Sequence, residues 1–237
     1  MTDKKNIFFW VPNTITAMNL LAGVIATIMA AKGETSIAAF LIIAASVFDF
    51  LDGMAARLLH SYSEIGKQLD SLADVVSFGV APASVLISMA GTANSSINIF
   101  IVYAAILLIP VAGAFRLAKF NIDTRQSESF LGLPIPANAI FFASLAIVTG
   151  YGSYQGVNQL MLNPFFLIST SILFSWLMIS EIPMFSLKVK HVKWEGNQLR
   201  ILFLALCLIL VITLRLYALP LIIIVYILLS AINSKSR

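Results

Sequence analysis

Long apolar runs alternate with short polar connections along almost the whole chain. A membrane-spanning helix needs roughly 20 consecutive, mostly apolar residues. Eight stretches approach that length: Pro12–Ala31, Ser36–Leu59, Leu69–Ala90, Ile97–Ala118, Leu133–Tyr151, Gln159–Ile182, Ile201–Leu214 and Leu216–Ala231. They are too long and too uniformly apolar for strands. The pattern predicts an all-α polytopic transmembrane helical bundle, one membrane-embedded domain over residues 1–237. The last two stretches are divided only by Arg215 and Pro220, so a kinked or re-entrant hairpin is the alternative there.

Composition removes the rival classes. Of 237 residues, 59% are hydrophobic and 11% charged, against about 25% charged in an average soluble domain. A soluble fold so poor in charge could not cover its surface, and the mean hydropathy of +0.94 agrees. One Cys, 12 Gly and 8 Pro exclude a disulfide scaffold and a collagen-like repeat. No small-residue cleavage site follows the first apolar run, so it is expected to be retained as a span. The aromatic stretch Ile7–Trp10 before it suits the headgroup region.

The basic residues set the expected orientation. With eight spans, thirteen Lys and Arg fall on the side of both termini: Lys4, Lys5, Arg57, Lys67, Arg116, Lys119, Arg125, Lys188, Lys190, Lys193, Arg200, Lys235 and Arg237. The other side keeps Lys32 and Arg215. The positive-inside rule then places both termini in the cytoplasm. The net charge of +4 belongs with anionic headgroups rather than nucleic acid.

Charge inside a bilayer is expensive, so the acidic residues are the place to look for chemistry. Four aspartates lie within twenty-six positions of the second and third spans. Asp49, Asp52, Gly53 and Ala56 share one helix face, within an arc of about 100°. Gly66, Asp70 and Asp74 form a stripe on the next helix. The short connection Leu59–Lys67 makes the two helices antiparallel neighbours, so two pairs of carboxylates face each other. Like charges this close repel, and hard divalent cations such as Mg²⁺, Mn²⁺ or Ca²⁺ reverse that repulsion. Two such ions balance four carboxylates, an arrangement that recurs in phosphoryl transfer. Gly53 and Ala56 leave room for a nucleotide or phosphate beside the carboxylates. Arg57 can donate to phosphate in a fork. The plainer reading makes the aspartates buried partners of Arg57, Lys67, Arg116 or Lys119.

Asp49-x2-Asp52-Gly53-x2-Ala56-Arg57-x8-Gly66-x3-Asp70-x3-Asp74 resembles the signature of the CDP-alcohol phosphatidyltransferase family at all eight defining positions. The resemblance implies a six-helix core, roughly residues 12–182, with the stretches at 201–231 as additional C-terminal spans. It implies a homodimer that displaces CMP from a CDP-linked lipid or alcohol. Asp49, Asp52, Asp70 and Asp74 would hold the metals, with Asp74 also the general base. Gly53, Ala56, Arg57 and Gly66 would belong to the CDP site together with Asp52. Three stretches further resemble the integral-membrane phosphatidylserine synthase branch: Asp70–Ala83, Phe115–Asn121 and Phe130–Ala137. The opening Pro12–Asn19 matches the family's first span. The branch implies CDP-diacylglycerol and L-serine as substrates in a prokaryotic cell membrane. The phospholipase-D-like synthase class needs two H-x-K-x4-D motifs. Here only His191–Val–Lys193 occurs, and Gln198 stands where the Asp is due.

Other residues have competing readings. Asn13, Thr16 and Asn19 share a face of the first span, as interhelical hydrogen-bonding groups or, for Asn13 and Thr16, as nucleotide contacts. Arg116, Lys119, Asn121 and Arg125 sit at the cytoplasmic end of the fourth span. There they either snorkel to headgroups or bind the substrate phosphate or the serine carboxylate. Glu181 is expected to pair with Lys188, Cys207 to be inert packing, and His60 and Glu64 to be exposed. Glycerol 3-phosphate or inositol phosphate is the alternative acceptor. A cation-coupled carrier is the alternative class, disfavoured because no internal repeat is visible.

Overall fold

The computed structural model describes residues 10–92, 97–123, 130–185 and 197–235. The chain opens with α1 (Trp10–Ala31) and α2 (Thr35–Leu58), packed along their lengths. Ala26, Ala30, Ala38, Ala39 and Ala45 are wholly buried. Small side chains let backbones approach closely where lipid provides no hydrophobic drive between helices. The third span runs from Glu64 to Gly91 as α3 (Glu64–Asp74), a π-helical segment (Val75–Val80) and α4 (Ala81–Gly91). Ser63 caps α3 by accepting from the Gly66 N–H at 2.9 Å.

The fourth span is broken into α5 (Ile99–Ile106) and α6 (Leu108–Ile122). Pro110 has no N–H to give the Ile106 carbonyl, which accounts for the interruption. Next come α7 (Ile135–Tyr151), α8 (Gln155–Met161) and α9 (Pro164–Ile179). The α8–α9 pair is bent by 58°, with Asn163 capping α9 and Pro164 at its first turn. A two-residue antiparallel contact joins β1 (Phe130–Leu131) to β2 (Pro183–Met184), too small to change the all-α class.

Among the described residues five helical runs are long and apolar enough to cross a membrane, the run Gln198–Asn233 being one of them, and the bent pair adds a sixth if it is one span. The shorter apolar α7 has 17 residues. The run Gln198–Asn233 folds back on itself as α10 (Gln198–Leu214) and α11 (Ala218–Lys235), turning at Arg215 with φ 51°. Phe203 and Tyr226 have ring centroids 6.0 Å apart. In a straight helix a separation of 23 positions would put them about 34 Å apart. The seventh and eighth stretches therefore form a hairpin, packed on α7 and β2. The outer faces carry Leu21, Phe50, Phe100, Phe165 and Ile212, all exposed as lipid-facing positions should be.

Two glycines fix how closely the elements meet. A Cβ on Gly23 of α1 would lie 2.6 Å from Ser77 Cα in the π-helical segment. Gly132, at φ 74°, lies under the end of α9, where a Cβ would sit 2.8 Å from the Ser180 carbonyl oxygen. Lys67, Arg116 and Lys119 share the end of the bundle where Lys67 Nζ donates to the Asn121 carbonyl at 3.2 Å and Lys119 pairs with Glu181 at 2.8 Å. Lys188, expected as the partner of Glu181, lies outside the described residues. His60 and Glu64 are exposed, as expected.

Gly23→Ala is expected to destabilise the fold by about 1–3 kcal/mol through overpacking against a backbone atom. Gly156→Ala in α8, with open space around its Cβ, should leave the midpoint unchanged or raise it. Thermal unfolding of both variants in one detergent checks the pair.

Candidate active site

The last two turns of α2 and the body of α3 present the carboxylates. An oxygen from each of Asp49, Asp70 and Asp74 lies within 4.8 Å of the others. If all three were ionised, each pair would repel by about 3 kcal/mol at an effective dielectric near 20. A bound cation would offset that repulsion. Asp52, 5% exposed, stands beside the trio rather than in it, within charge range of Asp49 and Asp70. The Thr16 hydroxyl, which donates to the Pro12 carbonyl at 3.0 Å, lies against the Asp52 carboxylate.

The polar stripe of α1 meets the signature residue by residue. Asn13 lies against Gly66, where an added Cβ would fall 2.9 Å from Asn13 Oδ1 and 2.9 Å from Ser63 Oγ. Thr16 meets Asp52. Asn19 Nδ2 donates to Asp74 Oδ1 at 3.3 Å, and Ser77 Oγ donates to the Asn19 carbonyl at 2.9 Å. Gly66 is thus required as a close approach of α3 to α1. Gly53 differs: nothing lies within 4 Å of its would-be Cβ, so it borders open space. Ala56 is half-buried beside it, and Arg57 is exposed in the last turn of α2.

The basic candidates divide. Arg116 is buried and lies within electrostatic reach of Asp74 and of the Tyr226 phenol. Arg116 and Lys119 line a cavity of about 320 Å³ with Phe115, Leu131, Met178 and Ser180. Asn121 has a packing role: its Nδ2 donates to Ser71 Oγ at 2.9 Å and its carbonyl accepts from Lys67, tying α6 to α3. Arg125 lies outside the described residues. Ser77, which lies inside the stretch Asp70–Ala83, and Tyr226 are not singled out by the sequence. Neither stands in the aspartate signature, and an isolated Ser or Tyr in an apolar run gives no notice of its neighbours.

The donor set fits a hard cation. All converging ligand atoms are carboxylate oxygens, which suit Mg²⁺, Mn²⁺ or Ca²⁺ rather than a soft metal. Among the described residues, Asp52 Oδ2 and Asp70 Oδ1 are buried without a hydrogen-bond partner, as is Arg116 Nε. Buried polar atoms are normally satisfied, and a ligand at the cluster would supply partners for these three.

Comparison with known proteins agrees with this geometry. Residues 9–182 match the family model described as CDP-alcohol phosphatidyltransferase. A CDP-diacylglycerol–serine O-phosphatidyltransferase of Helicobacter pylori is 34% identical over 195 residues, covering 80% of this chain and 77% of that protein. The enzyme of the same name from Bacillus subtilis is 34% identical over 173 residues, 73% of this chain and 88% of its own length. An archaetidylserine synthase of Methanothermobacter thermautotrophicus is 35% identical over 188 residues, 77% of this chain and 72% of that protein.

Asp49→Asn and Asp70→Asn should each weaken Mn²⁺ binding by about tenfold or more, since each removes one charged ligand from a three-carboxylate set. Electron paramagnetic resonance titration of the purified, metal-stripped protein measures it. Wild-type affinity in both variants would show that the ion binds elsewhere.

Proposed function

Because the chain belongs to the CDP-alcohol phosphatidyltransferase family, we propose that it transfers the phosphatidyl group of CDP-diacylglycerol to the hydroxyl of L-serine, giving phosphatidylserine and CMP. The convergence of Asp49, Asp70 and Asp74 carries this reading, since a carboxylate trio within the bundle suits phosphoryl transfer. Serine as acceptor is supported by the names of the relatives and by the branch stretches around Asp70–Ala83, Phe115–Asn121 and Phe130–Ala137. The single-ended distribution of Lys67, Arg116 and Lys119 supports placing the site and both termini at the cytoplasmic face of a prokaryotic cell membrane. The protein acts as a homodimer, as the resemblance implies.

Divalent ions, two by charge count and Mg²⁺ or Mn²⁺ with Ca²⁺ as a further option, would be held by Asp49, Asp52, Asp70 and Asp74 and would neutralise charge on the diphosphate and on departing CMP. The open ground beside Gly53 and Ala56 receives the nucleotide, with Arg57 at its rim and Asn13 and Thr16 lining the α1 side. Asn19 fixes the rotation of the Asp74 carboxylate through their hydrogen bond. Asp74 takes the proton of the serine hydroxyl as the serine oxygen bonds to the lipid-side phosphorus. The bond from that phosphorus to CMP breaks, and its electron pair leaves with CMP. Arg116 and Lys119 receive the serine carboxylate in the cavity they line, with Asn121 and Arg125 at that end of α6.

The deciding experiment offers purified protein CDP-diacylglycerol with serine, glycerol 3-phosphate or inositol 1-phosphate and measures CMP. Release with serine alone is expected. Release with either phosphorylated acceptor alone would move the protein to another branch. Asp74→Asn should retain CDP-lipid affinity within about tenfold while turnover falls by roughly 10²–10⁴, the worth of a positioned base. Near-normal turnover would exclude Asp74 as the base. Gly53→Leu should fold normally, because its side chain enters open space, yet lose CDP binding in a calorimetric titration. Undiminished CDP affinity would move the nucleotide away from this face.

A further inference from the structure

The cavity of about 320 Å³ beside α6 has walls of opposite charge. It is small for a ligand site, the usual range being roughly 300–1,000 Å³. One wall is basic. Arg116 and Lys119 stand one turn apart on α6, and Arg116 Nε is buried without a hydrogen-bond partner. The other wall is Met178, Ile179 and Ser180, the C-terminal end of α9. Aligned peptide dipoles make a helix C-terminus its negative end, equivalent to about half an elementary charge. Glu181 follows directly and adds a full one: its Oε1 accepts from Lys119 Nζ at 2.8 Å, at the rim of the cavity. The backbone on either side of Glu181 is held by the residue after β1. The Gly132 N–H donates to the Ile182 carbonyl at 3.0 Å, and a Cβ on Gly132 would fall 2.8 Å from the Ser180 carbonyl oxygen. An exposed ion pair such as this one, with side chains 42% and 60% exposed, contributes little to stability. That exposure instead opens the pair to a small polar molecule arriving from water.

We propose that Glu181 receives the ammonium of the acceptor and so selects an amino acid over a phosphorylated alcohol. The proposal rests on the transferase reading above, and adds an anionic contact to the carboxylate contacts assigned there to Arg116 and Lys119. Serine carries its carboxylate and its ammonium on one carbon, so the two groups need a cationic and an anionic partner side by side. Lys119 and Glu181 are that pair. The Lys119 ammonium has three N–H donors and a carboxylate about four acceptor sites, so each can hold serine without releasing the other. With both charged groups at the rim, the hydroxyl is left to point along α6 towards Arg116, which lies within electrostatic reach of Asp74. Glycerol 3-phosphate or inositol phosphate brings a dianion instead, which Glu181 and the negative end of α9 oppose.

The test measures CMP release from CDP-diacylglycerol against serine concentration in wild type, Glu181→Gln and Glu181→Asp, with L-alanine and propionate as inhibitors. Alanine keeps both charged groups of serine without its hydroxyl, and propionate keeps the carboxylate alone. In wild type, alanine should inhibit more strongly than propionate. In Glu181→Gln the serine KM should rise by about tenfold, the worth of one charged hydrogen bond partly exposed to water, and should carry most of the loss in kcat/KM. Inhibition by alanine should weaken by the same factor while inhibition by propionate holds, and Glu181→Asp should lie between the two proteins on each measure. Equal changes for alanine and propionate overturn the proposal and leave Glu181 as a residue that only orients Lys119. Unchanged constants in Glu181→Gln, a loss carried by kcat, or alanine no stronger than propionate in wild type overturn it as well. If wild type releases CMP with a phosphorylated acceptor and not with serine, the serine reading itself fails and takes this proposal with it.

Discussion

Three carboxylate oxygens held within 4.8 Å inside an apolar helix bundle set the terms for everything around them. Asp49 and Asp70 are only half-buried, so water screens their mutual repulsion in part, and the single charge of Arg116 lies within electrostatic reach of Asp74. Helices packed closely around the cluster hold it in place, and a bound cation would offset the repulsion that remains. Rigidity comes from close backbone approach. Gly23 lets α1 touch the π-helical segment directly after Asp74, and Gly66 lets the start of α3 meet Asn13. The hydrogen bonds from Asn19 to Asp74 and from Ser77 to Asn19 then tie α1 to the third span at the acidic residue and three residues beyond it.

Much of this was legible in the chain. The apolar runs located the helices, because a bilayer demands length and hydrophobicity that few other structures require. The spacing of Asp49, Asp52, Asp70 and Asp74 foretold the carboxylate cluster, because helical periodicity puts them on facing stripes. The polar face Asn13, Thr16 and Asn19 was also visible. Its partners were not, since pairing between helices distant in sequence depends on packing that no local pattern encodes. Gly66 shows the consequence. Its place in the signature gives no notice that α3 crosses α1 there, a contact that stands beside the nucleotide role the resemblance implies.

Other features had no sequence signal at all. The π-helical stretch Val75–Val80 carries no residue that demands it, yet it changes the register of the third span directly after Asp74. π-bulges of this kind recur at functional sites. The clasp between β1 and β2 involves two residues on each strand, too few for any period to appear. The terminal hairpin was one of two alternatives, because Arg215 alone gives weak evidence of a turn. Its φ of 51° and the contact of Phe203 with Tyr226 settle the geometry.

The hairpin also explains how the basic end of the site is held. Residues 9–182 match the family model, so α10 and α11 lie outside the matched core. Tyr226 nevertheless reaches back: its hydroxyl donates to the Phe185 carbonyl at 3.1 Å, and its ring packs against Phe185 and Phe203. Phe185 follows β2, β2 pairs with β1, and Leu131 of β1 lines the cavity of Arg116 and Lys119. Arg116 feels Asp74 from one side and Tyr226 from the other. The acidic centre is therefore built within the first three spans. The basic pocket opposite it depends on contacts that run from α6 through the β1–β2 clasp to the last helix. Arg116 is the residue at which the two halves meet.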